Sequence, residues 1–133
     1  MPARILVIED DPASRELLRY LLATAGYDAL VATDGGIGAR MALEVDPDMV
    51  LCDLQMPVMN GYEVLRHLHQ AARWRRIPVI AVTAFSMPGD CETALAAGFD
   101  GYFTKPITPE TFVGEVEAFL PPELVLRRPL ADH

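Results

Sequence analysis

The fold class predicted is α/β, a five-stranded parallel sheet between two layers of helices, and three observations predict it. Short apolar, β-rich runs alternate with longer stretches of helical period. The strand-like runs show almost no polar alternation, which marks strands covered on both faces. The alternation repeats as five βα units in succession, and such a chain builds a parallel sheet with helices on both sides. Right-handed crossovers leave few topologies, and the strand order 2-1-3-4-5 is the favoured one.

Each element has its own reason. RILVI (4–8) is the first strand. In 14–25, Leu17, Leu18, Leu21 and Leu22 fall on one side at helical spacing, and Gly26 stops the helix. DALVA (28–32) is the second strand; 36–45 is a helix ended near Pro47, and DMVLC (48–52) is the third strand. A helix over 61–73 uses Tyr62, Val64, Leu65 and Leu68 as its apolar side. IPVIAVTA (77–84) is the fourth strand, with Pro78 tolerated near its start. A short helix over 90–97 stops at Gly98, GYFT (101–104) is the fifth strand, and 109–120 is a last helix with Pro109 at its N-terminus. Residues 1–122 are expected to form one domain and 123–133 a short tail, too short to hold an output domain.

The 133 residues are 51% hydrophobic and 23% charged, which suits a chain with one sizeable core. A formal net charge of -8 argues against a nucleic-acid partner, because phosphate backbones are held by clustered Lys and Arg. Two cysteines give no disulfide framework, no signal-peptide pattern opens the chain, and no apolar run reaches membrane-spanning length. The expectation is a soluble cytoplasmic protein with no membrane partner.

In an open α/β sheet, ligands bind beyond the C-terminal ends of the strands, so the residues at those tips form one list. Glu9, Asp10 and Asp11 follow the first strand and Asp53 the third; Thr83 ends the fourth, and the fifth runs into Lys105 and Pro106. In the expected order the first and third strands are neighbours, which brings Glu9, Asp10 and Asp53 to one crevice. Carboxylates about 4 Å apart repel by roughly 4 kcal/mol per pair at an effective dielectric near 20. Either a carboxylate is protonated or a cation lies between them. Hard oxygen ligands select Mg²⁺ or Mn²⁺ over zinc. A hydroxyl (Thr83) and an ammonium (Lys105) opposite them complete a clamp for a phosphoryl group, with Asp53 as the nucleophile.

These residues carry a resemblance. VIEDD after the first strand, DLQMPVMNG around Asp53, VTA at 82–84 and KP at 105–106 make the chain similar to receiver domains of the two-component response regulators, to about residue 120. TAFSMPGD and AAGFDGYFTKPI bring it close to DivK-like single-domain regulators and to receivers of hybrid kinases. The resemblance implies a flavodoxin-like (CheY-like) sandwich acting in phosphorelay signal transduction. It implies that Asp53 accepts a phosphoryl group from a kinase phosphohistidine, with Mg²⁺ (or Mn²⁺ as a substitute) held by Asp10 and Asp53, by Glu9 through water, and by the Gln55 backbone carbonyl. Thr83 would bond a phosphoryl oxygen and Lys105 would pair with its charge. Pro106 would follow a cis bond. Tyr102 matches the switch aromatic that moves with Thr83, and Gln55 and Phe85 would flank the water that ends the signal. Such a module is a phosphoacceptor that catalyses only its own phosphoryl transfer and loss. Its partners would be a sensor histidine kinase or histidine phosphotransfer protein, then a downstream protein reached by contact, with a phosphorylation-dependent dimer as a further implication. Glu9 stands where many members carry Asp.

Rival readings fail on particular residues. A flavodoxin-type carrier needs a phosphate-cradling loop where Glu9, Asp10 and Asp11 stand. A haloacid-dehalogenase-type phosphatase wants an acid where Gln55 stands, and a pseudo-receiver lacks a key residue. Other residues have plain roles. Asp11 caps the first helix, His67 and His69 cannot face one metal and lie on the surface, Cys52 is core, and Cys91 packs a helix. Trp74 caps a helix end or lies in a partner surface, the first being favoured, and Arg73, Arg75 and Arg76 form a solvated patch.

Overall fold

The computed structural model describes residues 2–71, 74, 76–84 and 86–126. The elements run β1 (Arg4–Ile8), α1 (Pro12–Thr24), β2 (Asp28–Ala32), α2 (Gly35–Val45), β3 (Met49–Cys52), α3 (Gly61–Leu68), β4 (Val79–Thr83), α4 (Asp90–Ala97), β5 (Gly101–Thr104) and α5 (Pro109–Glu117), then a 3-10 turn at Pro122–Leu124. The sheet order is β2-β1-β3-β4-β5 and every pairing is parallel, as the alternating pattern predicts.

Because successive strand residues face opposite ways, the sheet divides the apolar residues into two cores. Leu6, Ile8, Val50 and Cys52 pack on one face with Val64, Leu65 and Leu68 of α3. Ile5, Val7, Met49 and Leu51 pack on the other with Leu18 and Leu22 of α1 and Phe112 and Val116 of α5. At about 1.5–3 kcal/mol for each large side chain fully buried, these two layers hold the strands in register. Ile8 pairs with Cys52 and Ala32, so Glu9 and Asp53 stand side by side, one residue past the paired tips.

Helix starts follow their capping residues. Asp11 caps α1, its carboxylate accepting from Ser14 N at 2.9 Å, so α1 begins at Pro12, earlier than 14. Asn60 and Glu63 form a reciprocal capping box on α3. Helix ends depart further from expectation. α3 stops at Leu68 instead of 73, because the chain leaves the helix axis through turns (Ala71 N to Leu68 O, Trp74 N to Ala71 O) to bury Trp74 in the first core. Trp74 therefore caps no helix; it is 1% exposed. α5 likewise stops at Glu117, and tighter turns carry Phe119 and Leu120 onward to the second core. Leu124, Val125 and Leu126 pack against that core, where Tyr27 Oη accepts from Leu126 N at 3.0 Å and donates to Glu117 at 2.5 Å.

Candidate functional site

Two backbone bonds extend the ladders past their ends and fix the acids at the tips. Glu9 N donates to Ala32 O at 3.1 Å, and Asp53 N donates to Ile8 O at 3.0 Å. Both side chains are nearly buried, Glu9 at 1% and Asp53 at 7% exposure. Asp10 is half-exposed beside them, and carboxylate oxygens of Glu9, Asp10 and Asp53 all lie within 4.8 Å of one another. Lys105 enters from the end of β5, where its own N–H donates to Thr83 O at 2.9 Å. Its Nζ lies 2.6 Å from Glu9 Oε1 and 3.2 Å from Asp53 Oδ2. The Lys105–Pro106 peptide bond is cis.

The second carboxylate oxygens of Glu9 and Asp53 find backbone donors. Asp11 N donates to Glu9 Oε2 at 3.1 Å and Gln55 N to Asp53 Oδ1 at 3.2 Å. Above them is a hollow of about 260 Å³ lined by Asp10, Asp11, Ser14, Asp53, Gln55, Ala84 and Lys105. Thr83, 1% exposed, carries a buried Oγ1 with no hydrogen-bond partner among the described residues. Burying a hydroxyl without a partner costs on the order of 1–3 kcal/mol, so this oxygen is an unmet acceptor and donor next to the site.

One ammonium does not neutralise this cluster. Burial, then the shared hydrogen bond and repulsion with Asp53, push the Glu9 carboxyl up to about 7, against the pull of Lys105. Burial works against the Lys105 ammonium, but its hydrogen bond to the Glu9 carboxylate and the charges of Glu9 and Asp53 outweigh it and hold its pKa above the usual lysine value. The oxygen-only donors, packed closer than their charges allow, fit a hard divalent cation. Cys52 just below is fully buried, and burial pushes its thiol well up, so it stays protonated core.

Of the residues singled out in the sequence, the structure gathers Asp10, Asp53, Gln55 and Lys105 around one hollow, buries Glu9 against Lys105 beside it, and sets Thr83 at the adjoining tip. Tyr102 sits on β5 in register with Ala81, and its Oη bonds Ser86 Oγ at 3.1 Å. Phe85, with Arg73 and Arg75, lies outside the described residues. Two contributors were not legible. Val58 in the loop after β3 has φ +72°, and Met59 N donates to Pro57 O across it at 2.8 Å, a strained γ-turn for a β-branched residue. Arg15, at the start of α1, donates from Nη1 to Glu9 O at 3.0 Å and to Asp10 O at 3.3 Å. Its place one turn after the acids was the only hint.

The family model described as the response regulator receiver domain matches residues 5–117. The chain belongs to that family. This receiver is 36% identical over 120 residues to the polar-differentiation response regulator DivK of Brucella anthropi, covering 90% of this chain and 98% of that protein. Among solved structures it is similar to chemotaxis protein CheY4 of Vibrio cholerae (TM-score 0.84, 27% identity, 90% of this chain and 100% of that one). It is also similar to the receiver domain of sensor histidine kinase PA1611 from Pseudomonas aeruginosa, which was crystallised with magnesium in its active site cleft (TM-score 0.81, 30% identity, 90% and 98% covered). The receiver is thus a two-component signalling module. No helix among its described residues is long and apolar enough to cross a membrane.

Proposed function

We propose that this receiver accepts a phosphoryl group on Asp53 from the phosphohistidine of a sensor histidine kinase or phosphotransfer protein, in a reaction that needs Mg²⁺. The observation that carries the reading is the Lys105 ammonium reaching both Glu9 and Asp53 beside a third acid, in a hollow open to a donor. Asp10, Asp53, Glu9 and the Gln55 carbonyl are the residues that would hold the ion, which neutralises the phosphoryl oxygens when bound. Asp53 Oδ attacks phosphorus, the phosphorus–nitrogen bond breaks, and its electron pair leaves with the imidazole. Lys105 pairs with the incoming charge, and the unsatisfied Thr83 Oγ1 gains an acceptor in a phosphoryl oxygen. Thr83 and Tyr102 then carry the change, Tyr102 through its bond to Ser86, so that partner binding, and with it a phosphorylation-dependent dimer, responds. Gln55 and Phe85 tune how long the phosphoryl group lasts. The chain catalyses only its own phosphoryl transfer and loss, in the cytoplasm. Its receiver unit spans 1–122 and 123–133 is a tail whose first residues pack on it.

Intact-mass measurement after acetyl phosphate treatment tests this. One phosphoryl group is expected with Mg²⁺, none in chelator and none in Asp53→Asn. Labelling that persists in either control would overturn the assignment.

A further inference from the structure

The helix that follows the acidic loop reaches back into it. Arg15 lies one turn inside α1, and its N–H makes the first helical bond, to Asp11 O at 2.9 Å. Side chains on a helix lean toward its N-terminus, and this one lies over the Glu9–Asp10 segment. A single guanidinium nitrogen, Nη1, bonds both carbonyls, Glu9 O at 3.0 Å and Asp10 O at 3.3 Å.

The two acids differ in what else holds them. The Glu9 carboxylate is held by Lys105 Nζ and Asp11 N. The Asp10 carboxylate accepts no hydrogen bond and joins no ion pair among the described residues, yet it stays within 4.8 Å of oxygens of Glu9 and Asp53, whose charges repel it. A half-exposed aspartate in that position relieves repulsion by swinging toward water. What aims it inward is its backbone, and the side chain that grips its carbonyl is Arg15. Among the described residues Arg15 forms no ion pair with Glu9, Asp10 or Asp53, the first and last of which pair with Lys105, and its charge helps to lower the Asp11 and Glu16 carboxyls.

We infer that Arg15 is a positioning residue for the divalent-cation site: by bonding the Glu9 and Asp10 carbonyls it holds the Asp10 carboxylate in place for metal binding. The inference rests on the cation reading proposed above. Groups that orient metal ligands are typically worth about 10–100-fold in metal affinity, and a half-exposed arginine acting through carbonyls belongs at the lower end.

Charge and positioning predict opposite signs, which makes the test sharp. Removing a cation near an acidic cluster strengthens Mg²⁺ binding on Coulomb grounds; removing a grip on the loop weakens it. Calorimetric titration of the metal-free full chain with Mg²⁺ compares wild type, Arg15→Ala, Arg15→Lys and Asp10→Asn. Arg15→Ala is expected to bind about 10-fold more weakly despite its lost positive charge, and Arg15→Lys to recover part of the loss. Acetyl phosphate labelling of Arg15→Ala should be slow at low Mg²⁺ and approach the wild-type rate at saturation, a rescue that generalised misfolding would not allow. Equal or tighter Mg²⁺ binding in Arg15→Ala overturns the inference. Absence of Mg²⁺ binding in the wild type, or undiminished binding in Asp10→Asn, removes the cation reading on which it rests.

Discussion

The two rims of the sheet carry the same residue type in opposite conditions. At the rim where the strands begin, two aspartates meet backbone donors, Arg4 N donating to Asp48 Oδ2 at 2.9 Å and Val79 N to Asp100 Oδ2 at 2.8 Å. At the rim where the strands end, Glu9, Asp10 and Asp53 crowd within 4.8 Å, and one lysine pairs with Glu9 and Asp53 alone. Strands of a parallel sheet start with unpaired N–H groups, which carboxylates satisfy, and end with carbonyls, which they cannot. The same aspartate is therefore a structural clasp at one rim and an electrostatic burden at the other. The burdened rim also holds the unsatisfied Thr83 hydroxyl and the strained Val58.

The largest way to expose this difference is pH. Because folding raises the Glu9 pKa from 4.5 to about 7, the native state binds a proton that the unfolded chain releases. The resulting stability is fully present below the unfolded value and is lost as pH rises through the folded one. In chelator, wild type should therefore lose up to roughly 3 kcal/mol relative to Glu9→Gln between about pH 5 and 8. Urea denaturation at several pH values reads it, and Mg²⁺ should restore the wild type at the high end. Parallel stability curves for the two proteins would show that Glu9 is not under strain.

Next in size is the clasp. Asp100→Ala leaves the buried Val79 N–H without its acceptor and should cost about 1–3 kcal/mol. Mg²⁺ affinity should not change, since the other rim is untouched. A coupled loss of Mg²⁺ binding would mean that the rims do not act independently. Tyr27→Phe removes the hydroxyl that joins α5 and Leu126 at the same clasping rim, and a loss of about 1 kcal/mol in urea denaturation is expected. The smallest effect is a gain. Val58→Gly accepts φ +72° without a Cβ clash and should stabilise by about 0.5 kcal/mol, relief of strain being partly offset by a more flexible unfolded chain. Lower stability in Val58→Gly would show that the isopropyl group packs usefully despite its 88% exposure.

Strand and helix identities, the parallel order and the list of tip residues are properties of the sequence by itself. They follow from short-range periodicity, from capping residues such as Asp11 and Asn60, and from a handedness rule that leaves few arrangements. Tertiary structure alone decided the rest. α3 ends at Leu68 because Trp74 is drawn into a core that exists only once α3 and β4 are packed together. The raised Glu9 carboxyl depends on Asp53 and Lys105, brought from distant points of the chain to one hollow. The bond from Arg15 to the acidic loop depends on where α1 leans once its leucines are buried against the sheet. Pattern along a chain specifies which way a side chain faces; distances of 3 Å between remote groups, and the charges those distances impose, arise only when the layers close.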